Sequence, residues 1–414
     1  MNDRPQTEPT YDARLGLHLL KLLSDGPRDL RFLIGHAQGA YPTDVLSSLQ
    51  DLQRAGRAKE LEKSVWSSAH FVAQCDQIQR STDEPWGDEG SAFPEPHPLD
   101  FDWRFNRRAL EHLGDRIECS LAKTIAVLGA PTLFKYLCEQ CRAAHLFDKN
   151  DQIISFLRQA GYNEVTECNL FRYAGQNHFD CVIADPPWYL DHYRAFMEAA
   201  RRMLVPGRNL LLSVLPPLTR PSAEDDRSAI VNFASERGFD LVSNEPDLLG
   251  YLSPPFEREA LKSEGLNMPA WRFGDLYTFV LSEREVPKYQ PDSSEEDQSW
   301  RTFTIGLTVV KVKWDGTHLN ETFGFSNVSE MNDIRLRSVS RRSPLRSKIN
   351  LWTSRNIALH VSRPDLACAA LQLLAEGRNS EDVARILREV EHMSPAEFDR
   401  LRDLLAILIK ESRN

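Results

Sequence analysis

The stretch HFDCVIADPPWYLDHY, residues 178–193, runs from apolar residues into an acid, two prolines and a tryptophan. An aspartate at the end of a buried strand, here Asp185, projects its carboxylate beyond the sheet. Pro186 and Pro187 then fix two consecutive φ angles near −65° and remove two backbone N–H groups. The carbonyls of Asp185 and Pro186 are thus kept out of a helix and remain acceptors beside the carboxylate. Trp188 adds a flat apolar face. Oxygens next to an aromatic platform suit a planar ring that bears an NH₂ group. Such an amine is a poor nucleophile because its lone pair is delocalised into the ring. Accepting its two protons on Asp185 and Pro186 localises the lone pair on nitrogen, which can then attack an electrophilic methyl carbon in line. This is catalysis by positioning and electrostatics, with no covalent intermediate. Stacking on Trp188 would hold a base turned out of its own stack. The plain alternative is a rigid Pro-Pro turn carrying a packed tryptophan.

A second group of residues lies upstream at the ends of expected strands. Gly129 closes KTIAVLGA and is followed by Ala130 and Pro131. Glycine there lets a ligand approach the backbone. The turn departs from the G-x-G-x-x-G phosphate fingerprint, and Pro131 removes a donor, so NAD and FAD are disfavoured. A ligand without phosphate suits it better. Asp148 ends HLFDKN about 20 residues later, the spacing of an acid that accepts ribose hydroxyls; its structural alternative is a helix N-cap. Asn169, after EVTEC, can hydrogen-bond a purine edge while Leu170 or Phe171 packs on its face. Together these residues favour a nucleoside ligand.

The elements that must position these residues alternate. From residue 121, strand-like runs (KTIAVLGA, HLFDKN, EVTECNL, FDCVIAD, RNLLLSVLP) are separated by helical ones (TLFKYLCEQCRA, DQIISFLRQAG, LDHYRAFMEAARRML, SAIVNFASERG). Such alternation builds an α/β, doubly wound, Rossmann-like parallel sheet whose ligands sit beyond the C-terminal strand ends. DLVSNEP and DLYTFVLS, with no full helix between them, read as an antiparallel closing hairpin. The connection 245–275 between them is long enough for a lid, with Tyr251, Phe256 and Trp271 as cleft residues.

Around this core we expect a winged-helix module over 1–80 (three helices and a hairpin) and a linker over 81–104. The sheet domain then spans 105–286, and a second linker 287–299. A β-rich segment over 300–363 and C-terminal helices over 364–414 follow. Trp103 and Phe105 read as structural anchors.

With 414 residues, the chain is too long for one ordinary core. Apolar residues make up 41% and charged residues 27%, as in folded proteins that live in water. No apolar run is long enough to span a bilayer, and the start has no signal-peptide pattern. Seven scattered cysteines point to a reducing, cytoplasmic setting. A net charge of −10 disfavours a general polyanion binder. One segment, RLRSVSRRSPLRSK (335–348), is basic without acids and reads as either a solvated loop or a phosphate-tracking segment. Cys138, Cys141 and His145 fall at helical spacing, but no second pair follows to complete a zinc site. They read as helix residues, and no metal is expected.

The residues LGAPTLF…FDKND…CNLF…VIADPPWY resemble a class I S-adenosylmethionine-dependent methyltransferase with the D-P-P-[WYF] motif of the N6-adenine-like branch, over about residues 120–283. The resemblance implies S-adenosyl-L-methionine bound at Gly129, Ala130, Pro131, Asp148, Asn169 and Leu170, and a catalytic set Asp185, Pro186, Pro187 and Trp188. It implies methyl transfer to an amine, with adenine N6 of DNA or RNA as the leading acceptor. A nucleic-acid partner follows from that, with a protein partner or dimerisation through the winged helix. The LGAPT form also resembles protein lysine methyltransferases of that branch. The order of modules is similar to branched-chain polyamine synthases, which transfer an aminopropyl group; their acidic donor loop is here Gly129-Ala130-Pro131. A regulator on a degenerate methyltransferase fold is the non-enzymatic alternative.

Overall fold

The computed structural model describes residues 9–62, 64–69, 93–176, 178–291, 299–316, 321–328, 333–337, 339 and 343–412. Parts of both expected linkers, 81–92 and 292–298, lie outside them. The chain forms two compact units. One comprises Met1–Gly90, Arg104–Ser253 and Met268–Ser294, the other Ser91–Trp103, Pro254–Asn267 and Glu295–Asn414.

The first unit begins with α1 (Tyr11–Ser24), β1 (Arg28–Asp29), α2 (Leu30–Gly35), α3 (Pro42–Arg54), β2 (Ala58–Glu62) and β3 (Val65–Ser68). The strands form an antiparallel sheet in the order β1-β3-β2. Val45, Leu49 and Leu52 of α3 are buried and face the core. Tyr11 donates to the Leu218 carbonyl, Arg14 to that of Pro221, and the Leu218 N–H donates to Gln38. These bonds seat the helices against the loop that follows the fifth parallel strand of the main sheet.

That sheet uses β4 (Arg104–Phe105), β5 (Ile125–Leu128), β6 (Ala144–Asp148), β7 (Val165–Glu167), β8 (Phe179–Ala184), β9 (Leu204–Val214), β10 (Phe239–Leu252) and β11 (Phe273–Leu281). Its order is β4-β10-β11-β9-β8-β5-β6-β7. Strands β5 to β9 are parallel; β11 runs antiparallel to both β9 and β10, as the closing hairpin requires. The connecting helices are α4 (Arg107–Cys119), α5 (Pro131–Glu139), α6 (Asp151–Gln159), α7 (Leu190–Met203) and α8 (Ala223–Glu236). All four residues of β5 are buried, as expected of a strand covered on both faces. On one face α7 packs Tyr193, Phe196, Met197 and Met203 into the core with Leu210 and Leu212 of β9. Below it the buried Glu198 carboxylate lies 2.9 Å from Arg237 at the end of α8.

The second unit contains α9 (Pro255–Ser263) and a five-stranded antiparallel sheet of β12 (Trp300–Ile305), β13 (Thr308–Lys313), β14 (Phe325–Asn327), β15 (Leu351–Thr353) and β16 (Ala358–Val361). Helices α10 (Pro364–Ala375), α11 (Ser380–Val390) and α12 (Pro395–Ser412) follow. Leu366, Leu371, Val383, Leu387, Leu401 and Leu405 of these helices share a core with β13, β15 and β16. Three residues of the basic segment are engaged within this unit: Arg335 pairs with Glu259, Arg337 with Glu264, and Arg346 lies over the rings of Phe101 and Trp352. Arg341 and Arg342 lie outside the described residues.

His97 is fully buried here. Its Nδ1 accepts from the Leu99 N–H at 3.1 Å, and Nε2 faces the Trp352 carbonyl at 2.9 Å, so the ring is neutral with its proton on Nε2. Burial, and then the Lys311 charge, push its pKa from 6.5 to about 3. The unfolded chain therefore binds a proton that the folded one refuses. Stability from this site is full above pH 6.5 and is lost as pH falls toward 3, at about 1.4 kcal/mol per pH unit. Denaturant titrations between pH 7 and 4 are expected to show this slope in the second unit, and His97→Gln, which can keep both hydrogen bonds, is expected to flatten it.

Candidate active site

The register of the parallel strands decides which residues meet. Leu128 of β5 lies opposite Phe147 of β6 and Ala184 of β8. The residues that follow, Gly129, Asp148 and Asp185, therefore leave neighbouring strand ends on one edge of the sheet. Strand β5 is where the winding reverses, so this edge is the crevice in which doubly wound sheets bind ligands.

Gly129 has φ +68°. A Cβ there would lie 3.1 Å from Phe196 and 3.3 Å from the Asp185 carbonyl oxygen. The Gly129 N–H donates to Phe147, and the Asp185 N–H to Leu128. Pro131 opens α5 at its first turn, where a missing N–H costs nothing. Asp148 is half-buried and is not the helix cap: its Oδ1 accepts from the Asn150 N–H at 2.8 Å, and Asn150 caps α6. Asn169 stands just past β7, and its amide oxygen caps a 3-10 turn, Leu170–Arg172, by accepting from the Phe171 N–H. That oxygen is engaged locally, while Leu170 and Phe171 are buried behind it.

The Asp185 loop is held from three sides. Arg220 donates to the Trp188 carbonyl at 2.6 Å and to Asp226 at 2.8 Å, and its guanidinium lies over the Tyr189 ring. The Tyr189 N–H donates to the Pro187 carbonyl. The hydroxyl of Tyr251, from β10, donates to Asp185 Oδ1 at 2.6 Å and is 2.6 Å from Ser213 Oγ of β9. The strand between them, β11, contributes Gly274. A Cβ at Gly274 would lie 3.2–3.3 Å from Ser213 Oγ, Trp188 Cζ2 and Tyr251 Cε2. This glycine makes the room in which the tyrosine, the serine and the indole meet. Trp188 itself is half-buried, edge-on to Tyr251, with the Arg272 guanidinium 5.0 Å from its ring centre.

Sequence reasoning missed Ser213, Arg220, Arg272 and Gly274, and it placed Tyr251 in a loop where the structure continues β10 through Leu252. Alternation in LLLSV and DLLGYL was the available signal for strand, but neither reveals the pairing partner. Phe256 belongs to the second unit. The cysteine set comes apart: α5 stops at Glu139, Cys141 turns at φ +55°, and His145 lies in β6 bonded to Glu164 and Thr166. Among the described residues no cluster has the makings of a metal site, and no helix is long and apolar enough to cross a membrane.

Residues 102–233, which include all of these strand ends from β5 to β9, match the family described as probable N6-adenine methyltransferase. The main sheet has the fold of a class I S-adenosylmethionine-dependent methyltransferase domain. Solved structures share its fold. The branched-chain polyamine synthase of Thermus thermophilus, in complex with N4-aminopropylspermidine and 5′-methylthioadenosine, is 14% identical. The match covers 69% of this chain and 91% of that one, with a TM-score of 0.50. A mutein of that enzyme gives 0.51 over 92% of its chain. The N-methyltransferase NodS of Bradyrhizobium japonicum is 14% identical over 42% of this chain and 95% of its own, with a TM-score of 0.30. A search of curated proteins finds no match. At Gly129 the backbone is bare, and a side chain would close the gap to the Asp185 loop.

Gly129→Ala is expected to lower stability by about 1–2 kcal/mol through left-handed backbone strain, with further loss from the Phe196 contact. A drop in melting temperature, with circular dichroism unchanged at low temperature, is the check.

Proposed function

We propose that this protein methylates an exocyclic amine on a planar ring, adenine N6 of DNA or RNA. The observation that carries the reading is the side-by-side placement of the Gly129 turn and the Asp185 loop at the winding reversal. A donor at the first and an amine at the second share one crevice. Bound S-adenosylmethionine supplies an electrophilic methyl carbon on a sulfonium.

On this reading the bare backbone of Gly129, Ala130 and Pro131 admits the donor, Asp148 accepts its ribose hydroxyls, and Asn169 and Leu170 border its base. The Asp185 carboxylate accepts a hydrogen bond from one N–H of the acceptor amine, and the Pro186 carbonyl accepts from the other: the Pro187 and Trp188 carbonyls already accept from Tyr189 and Arg220, and the Asp185 carbonyl faces Gly129. As the N–C bond forms, the donor's C–S bond would break and its electron pair stay on sulfur, and the amine would lose one proton, to the Asp185 carboxylate. Pro187 stiffens the loop, and Trp188 bears the ring.

We read the N-terminal helices and hairpin as a winged helix that serves protein contact or dimerisation. Its α3 exposes Asp44 and Asp51 beside Arg54, and β2 exposes Glu60 and Glu62 beside Lys59. That is a poor surface for phosphates. Free cysteines such as Cys181 and Cys368 suit a reducing cytoplasm.

A second reading, aminopropyl transfer to a polyamine, is favoured by the likeness to nearly the whole synthase chain. The Arg272 cation over Trp188 argues for the first, since a polycation would meet a like charge there. Methyl-labelled donor, offered with single-stranded RNA, single-stranded DNA, host protein and spermidine, separates these. Label in N6-methyladenine is expected; label confined to protein or to spermidine overturns the reading. Transfer from decarboxylated donor alone would establish the second, and no donor binding at millimolar concentration would leave a regulator. Asp185→Asn is expected to cut turnover about 100- to 1,000-fold, with donor affinity by calorimetry within about twofold.

A further inference from the structure

The hydroxyl of Tyr251 donates to the Asp185 carboxylate from outside its own loop, at 2.6 Å. The ring is 2% exposed. It lies 4.9 Å from Phe105 of β4 and edge-on to Trp188 at 5.8 Å, and it sits over the gap left by Gly274. Such packing leaves the phenol one position. Ser213 Oγ, 2% exposed and 2.6 Å away, gives the phenol oxygen a second partner. Burial and the neighbouring Asp185 charge hold the phenol pKa well above its usual value. It is therefore a donor throughout the range in which proteins stay folded.

We propose that Tyr251, backed by Ser213, is a positioning residue: it fixes the Asp185 carboxyl in one rotamer and holds it ionised for the acceptor amine. The proposal rests on the role of Asp185 argued above. A lone aspartate at a strand end can turn about two side-chain bonds. A charge-assisted O–H···O bond to a rigid partner removes that freedom and favours the charged form. The other groups around the carboxylate come from different elements. Tyr193 of α7 feels the Asp185 charge and donates no competing positive field. Arg220, from the loop before α8, and Arg227, on α8, act on the same pocket. Arg272 lies over Trp188. Each arginine has its own engagement: Arg220 with Asp226, Arg227 with Asp275, Arg272 with two indoles. The phenol donates to Asp185 Oδ1 at 2.6 Å.

Tyr251→Phe keeps the ring and removes the donor. In the ligand-free full chain, carbon-13 NMR of the Asp185 carboxyl, assigned with Asp185→Asn, is expected to show its titration midpoint about one pH unit or more higher in the variant. With an adenine-containing single-stranded oligonucleotide as acceptor, kcat is expected to fall about 10- to 100-fold. Its acid limb should move up, KM for the donor should hold within about threefold, and circular dichroism should show the variant folded at the assay temperature, with a lower melting temperature. Ser213→Ala, which leaves every ring in place, is expected to do the same to a smaller degree and serves if Tyr251→Phe does not fold. An unchanged Asp185 titration in the variants overturns the proposal whatever the acceptor. Wild-type activity in Asp185→Asn would instead sink the reading of the site, a distinct failure that the titration does not share.

Discussion

At the winding reversal two chain segments need the same space, and the fold resolves the conflict by leaving a β-carbon out. The turn after β5 and the loop after β8 approach until the Asp185 carbonyl stands 3.3 Å from where a Gly129 Cβ would be. Any other residue would push one of them away and would also have to adopt a left-handed conformation. The same device acts a second time on β11. There Gly274 leaves a vacancy that Trp188, Ser213 and Tyr251 fill from three other elements. The crevice is thus bounded by two absences, one at the Gly129 turn and one behind the Asp185 loop.

Stiffness in the loop has more than one source. The two prolines fix φ, but they do not choose where the loop points. Arg220 does, because it spans from the Trp188 carbonyl to Asp226, whose carboxylate also accepts from Ser222. Tyr251 does so from the opposite side. A buried phenol without a partner would cost several kcal/mol, and so would a half-buried carboxylate without a donor. Each group satisfies the other's need, which makes their geometry mutually determined. The loop is over-constrained in the way a pre-organised site requires.

What the sequence revealed follows from the range of the interactions involved. Gly129, Asp148 and Asp185 were legible because each ends a strand whose period and length mark it locally, and parallel register then brings strand ends together. The closing antiparallel pair was legible for the same reason. Tyr251 stood in a segment that reads as a connection, and its bond to Asp185 spans 66 residues. Nothing within a window around position 251 encodes the residue across two strands. Gly274 fell inside the same connection, and its meaning is a vacancy shared by three distant side chains. The misreading of Cys141 was local: a helical run seemed to continue past Glu139, but the chain turns into positive φ there. For the basic segment the sequence showed the cations, while the acids that answer two of them sit on α9 and at its C-terminal end, more than 70 residues earlier in the chain.

The charge of the crevice bears on what it can accept. An indole is a good partner for a cation, and here the protein supplies that cation itself, from Arg272, which also lies 5.1 Å from the centre of the Trp271 ring. With the guanidinium in place, a second cation over the same indole would be repelled in a site that is only partly hydrated. A neutral aromatic ring meets no such penalty. Its electron-poor edge suits the carboxylate, and its phosphates, if it carries any, would find Arg272 attractive. The acidic surfaces of α3 and β2 work in the other direction, keeping polyanions off the N-terminal module. A chain with net charge −10 can still take a nucleic-acid substrate if positive groups are confined to the crevice itself. On the proposed reading, selectivity in the crevice would rest on one arginine that lies over two tryptophans.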